Sequence, residues 1–181
     1  MAADPKRRKK KPGSPAANRA AEGAFRGLSH YDAQGRARMV DVSGKSATKR
    51  TAEASAYVRM SPKVLQALPF NPKGDPFEVA RVAGIMAAKR TAVLLPMCHP
   101  VVLGHVDVQF ALCKDGVAIR SSATTEAVTG VEMEALVAAT TAALTIYDMC
   151  KALDKGIVIR EIALERKTGG KSGEYKRVSP H

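Results

Sequence analysis

Residues 105–125 read HVDVQFALCKDGVAIRSSATT. Val106, Val108, Phe110 and Leu112 alternate with His105, Asp107 and Gln109. A period of two marks a strand with one buried face. Lys114, Asp115 and Gly116 carry the Asp-Gly chemistry of a hairpin turn, and Val117 to Thr125 returns as the paired strand.

Upstream of this hairpin, Ala54 to Met60 reads as a short strand. Ser61 and Pro62 form a helix start, with Ser as N-cap and Pro at the first helical position, and a short helix runs to Leu68. Pro69 to Pro76 is loop. In the helix expected over Phe77 to Thr91, Val79, Val82, Ala83 and Met86 recur at helical spacing. Downstream, Gly130 to Asp154 is the longest helix and is apolar around most of its circumference, which places it in a core or a subunit interface. Ile157 to Leu164 is the last strand, and Lys167 to His181 a polar, Gly-rich tail. The order strand, helices, strand–hairpin–strand, helix, strand predicts an α+β, ferredoxin-like fold: a four-stranded antiparallel sheet with helices packed on one face.

The chain of 181 residues carries a net charge of +12, half of it in residues 1–26, where eight Lys/Arg face two Asp/Glu. Residues 1–26, with an unbroken basic run from Lys6 to Lys11, read as a disordered extension. Residues 27–176 read as one α+β domain, and 177–181 as a flexible C-terminus. The moderate basic excess of the domain suits an anionic ligand. An RNA-binding module is disfavoured, because the strands lack an aromatic ribonucleoprotein signature and Phe and Tyr total eight. Cys98, Cys113 and Cys150 are odd in number and widely spaced, which argues against disulfides and for a cytoplasmic protein. No run of 18 apolar residues suggests a membrane span.

Asp148 and Lys151 lie three residues apart at the end of the longest helix. They are either a structural i,i+3 ion pair or an acid–base pair tuned by burial. Glu132 and Glu134 flank Met133 where the same helix begins; they complement the helix dipole, and the site is also suited to substrate positioning. Lys73, Lys89, Lys151 and Lys171 supply cations for phosphates if folding gathers them. GGKSG at 169–173 is not a phosphate-binding P-loop, because Glu165 stands where the first glycine is required. Cys98, His99 and His105 match no zinc spacing, so no metal site is expected.

Eight segments taken in order resemble the MoaC family of molybdenum cofactor biosynthesis, the cyclic pyranopterin monophosphate synthases. They are LSHYDAQG (28–35), MVDVS (39–43), KGD (73–75), ARVAGIMAAKRT (80–91), CHP (98–100), TGVEMEAL (129–136), AALTIYDMCK (142–151) and GGKSG (169–173). The resemblance implies a lyase. Its substrate would be the 3′,8-cyclised dihydroguanosine triphosphate, converted to cyclic pyranopterin monophosphate with loss of pyrophosphate. No cofactor is then required, and whether Mg²⁺ accompanies the triphosphate stays open. Carried over by matching position, Asp148, Lys151 and Lys73 resemble the family's catalytic residues. Met97, Cys98, His99, Glu132, Met133, Glu134, Lys89, Arg50 and Lys171 resemble its substrate-binding ones. Met97 stands where many relatives have Leu, a volume-matched change. The resemblance further implies a homohexamer, a trimer of dimers with sites at dimer interfaces.

Overall fold

The computed structural model describes Gln34 and residues 36–178. The extension expected over 1–26 lies outside the described residues. The chain divides into two compact units, Met1–Val40 and Asp41–His181, and the fold below is that of the second.

Strand β1 spans Thr48–Arg59 and is followed by the short helix α1, Pro62–Ala67. A 3-10 turn, Leu68–Phe70, leads through the Lys73 loop into helix α2, Pro76–Ala88. The one-turn helix α3, Thr91–Leu94, precedes the hairpin of β2, His105–Cys113, and β3, Gly116–Ala127. Helix α4 covers Glu132–Cys150, β4 Val158–Thr168 and β5 Tyr175–Lys176. All pairs are antiparallel, in the order β2-β3-β1-β4-β5.

The hairpin forms where the alternation places it, with Cys113 opposite Gly116 and His105 opposite Thr124. Tyr57 of β1 donates a hydrogen bond to the turn's Asp115 carboxylate at 2.5 Å, which pins the turn to the neighbouring strand and pushes the phenol up to about 12. The sheet differs from expectation in having five strands, not four. The fifth is two residues long and pairs with Arg166 and Lys167 through a turn at Gly169 and Gly170, both of positive φ. The glycines read as part of a loose tail are what let the chain reverse there. Arg177, assigned to the flexible C-terminus, is tied to Glu165 through its backbone N–H at 2.8 Å and its guanidinium at 3.1 Å.

One face of the sheet is buried. Ala52, Ala54, Ala56 and Val58 of β1, with Val117, Ile119, Ser121 and Ala123 of β3, point beneath α4. The two long helices turn their small residues toward the core. In α4 the buried side is Ala135, Ala138, Ala139, Ala142, Ala143 and Ile146, while Leu144 is 54% exposed. In α2 the buried side is Ala80, Gly84, Ala87 and Ala88, while Val82 is 56% and Met86 47% exposed. Close approach explains this choice. A Cβ on Gly84 would stand 2.9 Å from the Ala138 carbonyl oxygen, so the α2–α4 crossing accepts only the smallest residues. The larger apolar side chains are left facing outward.

Candidate active site

At its C-terminal end, α4 presents Asp148, with Lys151 as the C-cap. The Lys151 ammonium lies 2.6 Å from Asp148 Oδ1. The Lys73 ammonium lies 3.6 Å from Asp148 Oδ2 and donates to the Asp148 carbonyl at 3.0 Å. Lys73 reaches this position because its loop is locally constrained. Gly74 takes φ +95, and Asp75 caps α2 by accepting from the Phe77 N–H at 2.8 Å, with Pro76 opening that helix.

These groups are more than 40% exposed, contrary to the reading of an acid–base pair tuned by burial. Pairing tunes them instead. The hydrogen bond from Lys151, then its charge and that of Lys73, hold the Asp148 carboxyl below the usual range. The same hydrogen bond pushes Lys151 up. At neutral pH the cluster is therefore one carboxylate between two ammonium groups, able to accept one proton and to donate from either side.

The opposite end of α4 is handled differently. Glu134 is only 4% exposed, and burial pushes its carboxyl up, with Glu132 adding repulsion. Cys98, in the connection after α3, is also pushed up by burial and by the Glu134 charge. Glu134 lines a cavity of ≈130 Å³ with Lys89, Arg90, Thr91, Pro100 and Val101. Met97 and His99 flank Cys98 in the same connection and are half-buried, while Met133 is partly exposed on the first turn of α4.

A third group adjoins that end. Arg50 of β1 donates to the carbonyls of Ala127 at 2.9 Å and Val128 at 3.1 Å. Gly169 and Gly170 pack against it, since a Cβ on Gly170 would overlap the guanidinium. Glu132 pairs at 3.2 Å with Lys167, which also reaches the Ser172 hydroxyl at 2.7 Å. Lys171 is exposed in the same turn, with no ion-pair partner among the described residues. Lys167, expected as the first residue of a polar tail, lies in β4, which continues to Thr168 and carries it to Glu132 of α4. β1 pairs with β4 as far as Thr51 opposite Thr168, which sets Lys167 opposite Ala52.

Within one copy, Asp148, Lys151 and Lys73 come together, and Glu134, Glu132, Lys89, Cys98 and Arg50 gather elsewhere. Fourteen residues separate Glu134 from Asp148, about 21 Å along a helix axis. A wider cavity of ≈520 Å³ lies on the open face of the sheet, among Glu53, Asp107, Arg120, Glu165 and Arg177, and contains none of the expected site residues.

A charged carboxylate held between two ammonium groups, on an α+β scaffold with further cations at the far end of the same helix, has the chemistry of an acid–base site and suits an enzyme acting on an anionic substrate. Residues 39–170 match the MoaC family, and the chain belongs to it. It is 48% identical over 170 residues to the cyclic pyranopterin monophosphate synthase of Streptomyces griseus subsp. griseus, covering 93% of this chain and 96% of that protein. The protein of the same name from Peptoclostridium acidaminophilum is 50% identical over 154 residues, 84% of this chain and 98% of the relative.

Proposed function

We propose that this chain is a lyase of molybdenum cofactor biosynthesis, a cyclic pyranopterin monophosphate synthase. It converts 3′,8-cyclo-7,8-dihydroguanosine 5′-triphosphate into cyclic pyranopterin monophosphate and pyrophosphate. The observation that carries this reading is the meeting of Lys73, Asp148 and Lys151 at one end of α4 in a chain of this family.

The rearrangement breaks and re-forms carbon–nitrogen bonds of the ring system with proton transfers and no net redox change, and it includes one phosphoryl displacement. Asp148, kept ionised by its neighbours, takes a proton from the purine-derived ring, and Lys151 returns one as the ring opens and the pterin closes. Cyclic phosphate formation joins a sugar-derived hydroxyl oxygen to the α-phosphorus. The bond from that phosphorus to the β-phosphate oxygen breaks, the hydroxyl proton goes to a base, and the leaving pyrophosphate gathers negative charge. Lys73 lies on the acid–base side of this step; Arg50, Lys89, Lys167, Lys171 and His99 are the groups offered to the phosphates, with Met97, Cys98, Met133, Glu132 and Glu134 shaping the rest of the pocket. The chemistry written here runs on side chains alone and requires no cofactor.

The two halves stand too far apart for one copy to close on one substrate, so the site is composite. The α4 C-terminal end of one subunit faces the Glu134 end of another, within a homohexamer built as a trimer of dimers. Outward-facing Val82, Met86 and Leu144 supply apolar surface for that contact. The catalytic domain is assigned to residues 27–176 and a cytoplasmic location to the whole. Its fold is assigned as ferredoxin-like, on the strand order β4-β1-β3-β2 with a short fifth strand added at the β4 edge. The test is incubation with the cyclised triphosphate. Pyrophosphate and the pterin product should appear together, and substrate left unchanged by folded protein overturns the reading.

A further inference from the structure

We propose that Asn71 is a positioning residue for this reaction: it clamps the Lys73 loop onto the last turn of α4 and thereby fixes the Lys73 ammonium against Asp148. The inference rests on the function proposed above and concerns a residue outside the expected site.

The final four carbonyls of a helix have no partner inside it. In α4 these belong to Tyr147, Asp148, Met149 and Cys150. Two are met by the chain that follows: Tyr147 accepts from the Lys151 N–H at 2.8 Å, and Cys150 from the Leu153 N–H at 2.9 Å. The other two are met from the Lys73 loop. Asp148 accepts from the Lys73 ammonium at 3.0 Å, and Met149 from the Asn71 amide Nδ2 at 3.0 Å. Asn71 and Lys73 thus seal the same helix end side by side.

Asn71 also organises its own loop. Its side-chain Oδ1 accepts from the Lys73 backbone N–H at 2.9 Å, its carbonyl accepts from the Gly74 N–H at 3.0 Å, and its N–H donates to Leu68 at 3.3 Å. One side chain therefore grips the Lys73 backbone with its oxygen and the catalytic helix with its nitrogen. Only a short amide does both. Asp in its place keeps the turn to Lys73 but sets a carboxylate against the Met149 carbonyl, at the negative end of the helix dipole. Ala removes both grips.

The test compares the full-length chain with Asn71→Asp and Asn71→Ala, each checked by its thermal unfolding midpoint. Both variants should lose kcat on the order of 10- to 100-fold, since a displacement of about 1 Å in a reacting group costs up to that much. KM should change less than kcat, because the phosphate groups bind elsewhere. The acid limb of the rate profile should move to higher pH, because Lys73 no longer helps hold the Asp148 carboxyl down. A purely structural helix cap would lower the midpoint and leave that limb in place. The acid limb and the Asp148 titration are read in the uncharged variants, Asn71→Ala or, if that does not fold, Asn71→Ser, which keeps a turn-forming oxygen, because an added carboxylate would itself push Asp148 up. Unchanged kcat and an unmoved acid limb in a folded variant overturn the proposal. NMR titration of the Asp148 carboxyl, which needs no turnover, separates the two ideas. If the wild-type chain releases no pyrophosphate, the assigned function fails, while an upward shift of Asp148 in the uncharged variants supports the clamp and an unchanged Asp148 sinks it.

Discussion

The two ends of α4 hold carboxylates in opposite ways. At the C-terminal end, Asp148 is exposed and is kept ionised by two ammonium groups. At the N-terminal end, Glu134 is buried, lacks a comparable partner among the described residues, and has its carboxyl pushed up by desolvation. Water contact and opposite charge favour the ionised form; burial and a like charge favour the neutral one. A single helix thus offers a ready base at one end and a carboxyl that holds its proton more tightly at the other, a division of roles suited to a reaction that moves several protons.

The contrast breaks most sharply at Lys151. Replacement by Met keeps the stem and removes the ammonium, and turnover should fall by at least ~10²-fold with folding retained; near-normal rates in folded Lys151→Met would remove this residue from the chemistry. At the other end, Lys167→Met removes the partner of Glu132 and should lower turnover by about 10²-fold if the cation serves the phosphates. Mixing these two inactive variants sharpens the comparison between ends. If each site takes one end from each of two subunits, unfolding and refolding them together at equal amounts should restore roughly a quarter of wild-type activity. No recovery from refolded mixed oligomers would put both ends in one subunit's site.

A smaller effect concerns the buried end alone. Because Glu134 binds its proton more tightly folded than unfolded, its ionisation costs stability as pH rises through the raised value. Glu134→Gln should therefore raise the unfolding midpoint above that value, with the gain vanishing in acid, as read by thermal melts at several pH values. Gly84→Ala tests the packing between the ends. Its methyl would crowd the Ala138 carbonyl, and denaturant unfolding should show a loss of about 1–3 kcal/mol.

Much of this was legible in the residues. Alternation at Val106 to Leu112 and the Asp-Gly turn predict the hairpin and its place, because a period of two is forced by the pleat, while the observed register takes Gly116 out of the turn and sets it opposite Cys113. Ser61-Pro62 opens α1 with Pro62 at the first helical position, while the Ser61 hydroxyl makes no cap hydrogen bond. Strand ends were less legible. Thr48 to Arg50, Lys167 and Thr168 are polar and carry no alternation toward a core; Thr48 to Arg50 join the sheet by backbone pairing with β3, and Lys167 and Thr168 by pairing with Ala52 and Thr51 of β1. Which face of α2 is buried is not legible from the spacing of Val79, Val82 and Met86 for a related reason. Periodicity reports an apolar stripe without saying whether the core or another surface receives it, and here Gly84 and the alanines admit the close crossing.

By itself the sequence determined the order of the main elements apart from the short α3 and β5, the hairpin, the start of α1 and, through eight ordered segments, the family, since each of these depends on neighbours within a few residues or on their succession. Tertiary structure alone decided which face of α2 and α4 is buried, that Asp148 is tuned by pairing in water, and that Asn71 and Lys73 seal the helix that bears it. The helix facing turns on the distance from Gly84 to Ala138, 54 positions away, and the sealed helix end on the distances from Lys73 and Asn71 to residues 75 and 78 positions away. Such distances are set when elements pack, and electrostatic and steric energies fall off too steeply to be read from spacing along the chain.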